Sequence, residues 1–294
     1  MHSRLRCSIP LPSDYRKDDV LAFHGRDPQG VAERVDTQGF RKGLTWAGHA
    51  ASLTLRFESD RCEIALAVDG PTDATEDALV DMATRMLGLT QRIEDFENVY
   101  HSHTELGPLI ARQPGLRVPL AASPFEALTW AITGQQISVR AAVSIRRNLI
   151  RLSGITHSSG IACYPGPSRV AGLGEAPLRQ AGFSATKAQA LVTLSGAVEA
   201  GHLPLDQWTT TPIETIRSRL MDVRGIGPWT VDYTLLRGFG WLDGSLHGDV
   251  AVRRKLQRLL GFAQPVDAAF TQKWLAAFSP WRALVAAHLW AMPS

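Results

Sequence analysis

The sequence predicts an α+β protein in which an antiparallel sheet with helices (residues 1–106) precedes an all-α helical domain (residues 107–294). Segments 52–59 and 62–68 alternate apolar and polar residues across a short link, which is typical of an antiparallel hairpin. Segment 39–46 is expected to add a third strand. Beyond residue 107 the apolar residues recur at helical spacing, which favours helices to the end of the chain.

Local capping signals indicate where individual helices begin. The stretch SPFE (123–126) combines a capping serine, a proline in the first turn and a glutamate three residues after the cap. TPIE (211–214) repeats this arrangement, and Asp73 and Ser184 are expected to cap two further helices. Later helices are expected near residues 228–238, 249–260, 267–278 and 281–292.

The composition excludes several classes of protein. Hydrophobic residues make up 45% of the chain and charged residues 20%, which is typical of a folded protein. The chain has no apolar run long enough for a membrane span, and its first residues lack the apolar core of a signal peptide. Three cysteines (Cys7, Cys62 and Cys163) are too few for a four-cysteine iron–sulfur cluster, and their wide separation and odd number favour a reducing compartment.

The net charge of +3 permits binding to nucleic acid but does not require it. Two local clusters of basic residues are more informative than the total charge. One contains Arg140, Arg146, Arg147 and Arg151, and the other contains Arg253, Arg254, Lys255 and Arg258. Each cluster is either a surface for phosphate groups or an ordinary solvated helix face, and charge alone leaves both interpretations open.

The stretch VRGIGPWTV (223–231) predicts a tight hairpin between two helices. Gly225 and Gly227 permit positive φ and a close backbone approach, and Pro228 is expected in the first turn of the second helix. The free N–H groups at that helix N-terminus are suited to one phosphate. The alternative is a tight helix connection with no role in binding.

Asp249 follows Trp229 by twenty residues and is expected at the start of another helix. A helix N-terminus favours an ionised carboxylate, and such a group beside a sugar stabilises an oxocarbenium-like transition state or orients a water molecule. Aspartate is also a preferred helix cap, so a purely structural role is the alternative.

These residues, taken together, resemble the helix–hairpin–helix DNA glycosylase superfamily, and in particular the bacterial DNA-3-methyladenine glycosylase II group. The resemblance rests on the glycine hairpin, on Asp243 and Asp249, and on similar stretches over nearly the whole chain. Those stretches are PGLRVP (114–119), FEALTWAITGQQISV (125–139), GIGPWT (225–230), LLRGFG (235–240) and SPWRALVAAHLW (279–290).

The resemblance implies roles for particular residues. Asp249 matches the catalytic carboxylate of the family, whereas Asp243 is expected to be structural. Trp229, Tyr233 and Trp290 match the aromatic residues of the base pocket, and Trp281 is expected to pack in the core. Trp229 also occupies the position where bifunctional relatives carry a lysine, and an indole forms no Schiff base. The resemblance therefore implies a glycosylase without lyase activity.

The resemblance also implies a DNA-binding surface. The residues expected to contact DNA are Gln135, Gln136, Arg224, Gly225, Gly227 and Thr230. Gln136 occupies the position of the family's intercalating wedge, where leucine stands in the relative considered, so its wedge role stays open.

No cofactor is expected to be required. The backbone carbonyls of Met221, Val223 and Ile226 match positions that hold a structural monovalent cation in the family. His247 is expected to be a solvent-facing loop residue, and contact with a phosphate or the substrate is the alternative.

The function implied by the resemblance is hydrolysis of the N-glycosidic bond of alkylated purines, such as 3-methyladenine and 7-methylguanine, in flipped nucleotides of duplex DNA. The alternatives are a bifunctional glycosylase/lyase for oxidised bases and a non-catalytic protein that recognises damage.

The expected partner is double-stranded DNA containing alkylated bases, with no membrane association. A monomer in the bacterial cytoplasm, associated with the nucleoid, is expected. The preferred lesion and the role of the N-terminal domain stay open.

Overall fold

The computed structural model describes residues 3–73 and 75–293 and contains an antiparallel sheet followed by a helical domain. The strands of the sheet are β1 (Ser3–Pro10), β2 (Glu33–Val35), β3 (Gly39–Trp46), β4 (His49–Phe57) and β5 (Arg61–Val68). Their order across the sheet is β1-β5-β4-β3-β2, and each neighbouring pair is antiparallel. The predicted fold class is therefore confirmed.

The expected hairpin is formed by β4 and β5, with Leu53 opposite Leu66 and Leu55 opposite Ile64. The third expected strand is β3, with the predicted bounds. The sequence reading missed β1 because this strand lies at the sheet edge and buries only part of its alternating residues. It also missed the short strand β2 at the other edge.

The described residues contain fourteen α-helices and a 3₁₀ helix at Leu205–Thr210. The helices in the first half of the chain are α1 (Lys17–His24), α2 (Glu76–Met86), α3 (Ile93–Tyr100), α4 (Leu106–Ala111), α5 (Pro124–Gly134) and α6 (Val139–Ser153). The remaining helices are α7 (Pro167–Leu173), α8 (Glu175–Gln180), α9 (Ala185–Glu199), α10 (Ile213–Met221), α11 (Pro228–Phe239), α12 (Val250–Leu259), α13 (Ala268–Ala276) and α14 (Arg282–Trp290). None of these helices, within the described ranges, is long and apolar enough to cross a bilayer.

Two of the expected helix caps are confirmed and two are wrong. Ser123 and Ser184 cap α5 and α9 by accepting hydrogen bonds from backbone N–H groups three residues later. At α2 the cap is Thr75 and not Asp73, because the Thr75 hydroxyl accepts the N–H of Ala78. At α10 the helix begins at Ile213 after Pro212, without a side-chain cap from the preceding threonine.

Three apolar cores hold the chain together. One lies between the sheet and helices α1 and α2, the second lies among α5–α11, and the third lies among α3, α4 and α11–α14. Helix α11 contributes to both helical cores and packs directly against α5. Gly238 permits this contact, because a Cβ atom there would lie 3.0 Å from the Cα atom of Pro124. Side chains of α3 pack with the third core although α3 precedes residue 107, and the division at residues 106/107 stays a prediction.

A buried cluster of four charged side chains joins the sheet to the helical domain. Lys42 of β3 donates to Glu126 of α5 at 2.7 Å, and Arg146 of α6 donates to Glu126 at 2.8 Å and to Glu33 at 2.7 Å. Burial alone would raise the pKa of Glu33, but the charges of Arg146 and Lys42 outweigh it and hold that pKa well below its usual range. The cluster is a connection between the two parts of the protein.

Both interpretations of the basic residues around position 146, a phosphate surface and a solvated helix face, are therefore wrong for two of them. Arg146 is 8% exposed and is used within the buried cluster. Arg147 donates to Asp27 at 2.8 Å, with both side chains largely buried. Arg146 lies at helical spacing from Val143 and Ile150 on the buried face of α6, so the apolar pattern of this helix was the signal that could have separated it from the solvated arginines.

Candidate active site

Asp249 is the N-cap of α12 and its carboxylate is held by four hydrogen bonds. Its Oδ1 atom accepts the backbone N–H groups of Ala251 at 2.9 Å and Val252 at 3.0 Å. The indole N–H of Trp290 donates to Oδ1 at 3.3 Å, and that of Trp229 donates to Oδ2 at 3.2 Å. The four donors fix the orientation of both carboxylate oxygens. Asp249 therefore caps a helix, but capping alone does not account for the two indole donors.

Aromatic side chains form a wall beside this carboxylate. Trp229 and Tyr233 lie four residues apart on α11, with ring centroids 5.3 Å apart. The Tyr233 ring lies 6.2 Å from that of Trp290, and the indole N–H of Trp130 donates to the Tyr233 hydroxyl at 2.9 Å. Tyr233 is buried, while the three indoles are half-buried and keep part of their faces open. The sequence-predicted pocket residues are therefore brought together.

The structure adds residues that the sequence reading missed. Trp130 lies on α5, within the stretch that carries the resemblance, and Arg237 lies on α11. Phe23 and Arg26 come from α1 and the turn after it, in the N-terminal part of the chain. The guanidinium carbon of Arg26 lies 4.4 Å from the Trp130 ring centroid. A helix at α1 was not predicted, so the sequence offered no signal that would place Phe23 and Arg26 at the site.

The predicted glycine hairpin joins α10 to α11. Gly225 has φ +91°, a conformation that side chains other than glycine rarely adopt, and Gly227 is the N-cap of α11. Ile226 is buried and anchors the turn in the helical core, whereas Arg224 is exposed beside it. Gly227 has no side chain that could cap α11. The first N–H groups of α11 are therefore not occupied by a capping side chain, and a phosphate site requires such uncapped N–H groups.

The loop between α5 and α6 is fastened to this hairpin. The side-chain amide of Gln135 donates to the Gly225 carbonyl at 3.0 Å and to the Thr230 hydroxyl at 2.8 Å. Thr230 is buried, so in this structure its hydroxyl faces Gln135 and not the solvent. Gln136, in contrast, is exposed and has φ +56°. The contacts of these residues with DNA stay predictions.

Lys187 of α9 holds the same loop from the opposite side. Its ammonium group donates to the carbonyls of Thr133 at 2.9 Å and Gln135 at 2.7 Å, at the C-terminal end of α5. Burial lowers the pKa of Lys187. Sequence reasoning missed this residue because nothing in its local pattern indicates a distant carbonyl partner.

The remaining sequence expectations concern three residues near the site. Asp243 accepts hydrogen bonds from Ser279 and from the side chain and backbone N–H of Arg282, which is the structural role that was expected. Trp281 packs against the rings of Phe96 and Tyr100, also as expected. His247 is half-buried and contacts the Ser245 hydroxyl at 2.9 Å, so it is not a freely solvated loop residue.

The carbonyls expected to bind a cation come from the end of α10 and the turn that follows. Met221 ends α10, Val223 is half-buried and Ile226 is buried. The Val223 carbonyl accepts the Ile226 N–H at 3.1 Å, which closes the turn. Neutral carbonyl oxygens are ligands that hard cations accept, so the donor set is compatible with the expected monovalent cation.

Two family models match the chain. The model described as the AlkA N-terminal domain matches residues 8–123, and the model of the HhH-GPD superfamily of base excision DNA repair proteins matches residues 129–275. DNA-3-methyladenine glycosylase 2 of Escherichia coli (strain K12) is 30% identical over 217 residues, which cover 72% of this chain and 73% of the relative.

Two solved structures have the same fold as this chain. The 3-methyladenine DNA glycosylase from Archaeoglobus fulgidus has a TM-score of 0.81 at 20% identity, with 97% of each chain covered. The 8-oxoguanine glycosylase/lyase of Clostridium acetobutylicum, in complex with double-stranded DNA, has a TM-score of 0.73 at 14% identity. The match covers 99% of this chain and 96% of that one.

Proposed function

The chain belongs to the HhH-GPD superfamily of base-excision DNA repair proteins, and from this premise we propose that it is a monofunctional DNA glycosylase that removes alkylated purines from duplex DNA. The observation that carries the proposal is the carboxylate of Asp249, which is held at a helix N-terminus by two indole N–H groups that belong to an aromatic wall. The relatives named for 3-methyladenine glycosylase activity support the choice of substrate.

The first step of the proposed reaction is extrusion of the damaged nucleotide. A base inside the duplex is inaccessible, and flipping it out costs a few kcal/mol, less where damage has weakened its pairing. Gln136, which is exposed, would occupy the gap that the nucleotide leaves. The hairpin at Gly225 and Gly227 would hold a backbone phosphate on the N-terminus of α11, together with Arg224. Carbonyls of Met221, Val223 and Ile226 would hold a monovalent cation that stabilises the shape of this hairpin.

The second step is cleavage of the bond between C1′ and the base nitrogen. Alkylation at N3 or N7 makes the purine cationic, so the electron pair of the breaking bond neutralises the base as it leaves, and no strong general acid is required. Aromatic faces of Trp229, Tyr233 and Trp290 attract such a cation. The ionised Asp249 stabilises the positive charge that develops on the sugar. Water then adds at C1′ and loses a proton.

The absence of lyase activity is the finer part of this proposal. A lyase requires an amine that attacks C1′, and Trp229 stands where bifunctional relatives carry lysine. Lys255, the lysine on the helix that Asp249 caps, donates instead to the carbonyls of Met292 and Pro293 at 2.8 Å. Borohydride reduction on DNA containing the lesion or an abasic site tests this point. A covalent protein–DNA adduct would favour the bifunctional alternative.

Base release from methylated DNA tests the central proposal. Wild-type protein should release 3-methyladenine and 7-methylguanine, and Asp249→Asn should lose release while retaining DNA binding. Asp267→Asn is the matched control, because Asp267 caps α13 by accepting the N–H of Phe270 at 2.7 Å and has no indole partner in the structure described. Equal release by all three proteins would refute the role of Asp249. Binding to damaged DNA without any release would favour the non-catalytic alternative.

A further inference from the structure

Two arginines that the proposed reaction does not use lie against the aromatic pocket. The guanidinium carbon of Arg26 lies 4.2 Å from the ring centroid of Phe23 and 4.4 Å from that of Trp130. The guanidinium carbon of Arg237 lies 4.7 Å from the Phe23 ring and 5.7 Å from the Trp290 ring. Both guanidinium groups thus contact the Phe23 ring, and each also lies near one indole of the aromatic wall.

These two cations are held in place by backbone carbonyls and not by carboxylates. Arg26 donates to the Phe23 carbonyl at 2.8 Å, and Arg237 donates to the Pro119 carbonyl at 2.8 Å. The Arg237 Nε atom is buried without a hydrogen-bond partner, and neither arginine forms a salt bridge within residues 3–73 and 75–293. Burial lowers the pKa of Arg237 to about 10, which leaves it charged at neutral pH. Tyr233 and Asp19 offset part of the Arg237 charge, but this side of the aromatic wall still carries two guanidinium groups without a salt bridge among the described residues, and the Arg237 Nε–H is an unused donor there.

From this arrangement we infer that Arg26, supported by Arg237, determines specificity within the proposed activity and favours 7-alkylguanine over 3-alkyladenine. The inference rests on the proposed function. A guanidinium group offers only donors. Guanine derivatives present the O6 acceptor on the edge where adenine derivatives present the N6 amino group, which is a donor. The N6 amino group of an adenine derivative and the guanidinium N–H groups would face each other as two donors, and neither would have an acceptor. A site built for hydrogen bonding to an acceptor therefore discriminates strongly against the adenine derivative.

The charges of the two lesions act in the same direction. Both alkylated bases are cationic as they leave. The carbonyl group of a 7-alkylguanine directs partial negative charge at O6 toward the guanidinium groups, whereas the amino group of a 3-alkyladenine directs partial positive charge toward them. The guanine lesion is therefore the one whose charge and acceptor both fit this side of the pocket.

Relative release of the two bases from one methylated DNA sample tests the inference. Under single-turnover conditions, Arg26→Gln should lower the ratio of 7-methylguanine to 3-methyladenine release rates about tenfold relative to wild type. Arg26→Lys keeps the charge but loses the planar fork of donors, and it should give an intermediate ratio. The matched control is Arg56→Gln, since Arg56 is an exposed arginine of the sheet that pairs with Asp36, and its ratio should equal that of wild type.

Each outcome decides between the inference and its failure. An unchanged ratio in Arg26→Gln, with thermal stability retained, overturns it. If Arg26→Gln does not fold, Arg26→Lys decides, because a ratio below that of wild type supports the inference and an equal ratio overturns it. If the wild-type protein releases neither base, the proposed function itself has failed, and this result is distinguishable from an unchanged ratio between two released bases.

Discussion

The indole N–H of Trp290 donates to the carboxylate of Asp249 across 41 positions of the chain, at 3.3 Å. Trp290 is the last residue of α14 and Asp249 caps the first turn of α12, so the contact depends on how these two helices pack. Trp229 fixes the other oxygen of the same carboxylate. Both oxygens are therefore oriented by side chains that also form the pocket wall, which couples the shape of the pocket to the position of the charge.

Replacing Trp290 by phenylalanine should slow base release at least about tenfold. The variant keeps an aromatic face but loses a hydrogen bond to an ionised group, which is worth about 1.5–3 kcal/mol, and the carboxylate loses orientation. Single-turnover release of 7-methylguanine measures the effect. Trp281→Phe is the control, because Trp281 packs against Phe96 and Tyr100 and should release the base at the wild-type rate. A wild-type rate in Trp290→Phe would show that the indole does not position Asp249.

Lys187→Met should impair nucleotide flipping more than it impairs folding. The substitution removes two hydrogen bonds to the carbonyls of Thr133 and Gln135, so the loop that carries Gln136 loses its support. Fluorescence of 2-aminopurine beside the lesion should report at least fivefold weaker flipping, while the melting temperature falls by only a few degrees.

Lys187→Arg should restore part of the signal, since a guanidinium group also donates to carbonyls. The control is Lys273→Met on α13, where the side chain is exposed. Flipping at the wild-type level in a folded Lys187→Met protein would contradict the positioning role.

Glu126→Gln should destabilise the whole protein by about 3–5 kcal/mol, because it removes one charge from a buried cluster and leaves Lys42 and Arg146 with Glu33 alone. Chemical denaturation at neutral pH measures the free energy of unfolding. In contrast, Glu63→Gln breaks an exposed pair with Arg61 and should cost less than about 1 kcal/mol. A loss in Glu126→Gln as small as that in Glu63→Gln would mean that the cluster does not hold the sheet to the helices.

His288 should make the protein sensitive to acid between about pH 6.5 and pH 4. Its side chain is 1% exposed, neither ring nitrogen has a hydrogen-bond partner in the described part of the chain, and burial lowers its pKa to about 4. Below pH 6.5 His288 is protonated in the unfolded chain, whereas in the folded chain it stays neutral until the pH falls to about 4. The free energy of unfolding therefore falls as pH falls and levels off near pH 4. The expected contribution is about 3 kcal/mol over this range.

Denaturation curves of wild type and His288→Leu, measured from pH 7 to pH 4, test this expectation. The variant should show a shallower loss of stability, since leucine is apolar and similar in size. His202→Leu serves as the control because His202 is exposed. Parallel curves for wild type and His288→Leu would refute the role of His288.

The parts of the fold that the sequence predicted well are those specified by nearby residues. The hairpin of β4 and β5, the capping by Ser123 and the turn at Gly225 depend on alternation, a hydroxyl or a positive φ within a few positions. The placement of Asp249 at a helix start is of the same kind. Edge strand β1 and helix α1 were missed because their patterns are weakened by partial exposure.

Sequence by itself thus determined the fold class, the family and the place of Asp249 at a helix start, because these follow from local pattern and from the resemblance carried by those stretches. Only the tertiary structure decided that Trp290 and Trp229 share Asp249, that Arg146 is buried with Glu126, and that Arg26 lies against Trp130. These contacts join residues from separate helices, and their geometry arises from the packing of several elements at once. No single segment of the chain carries that information.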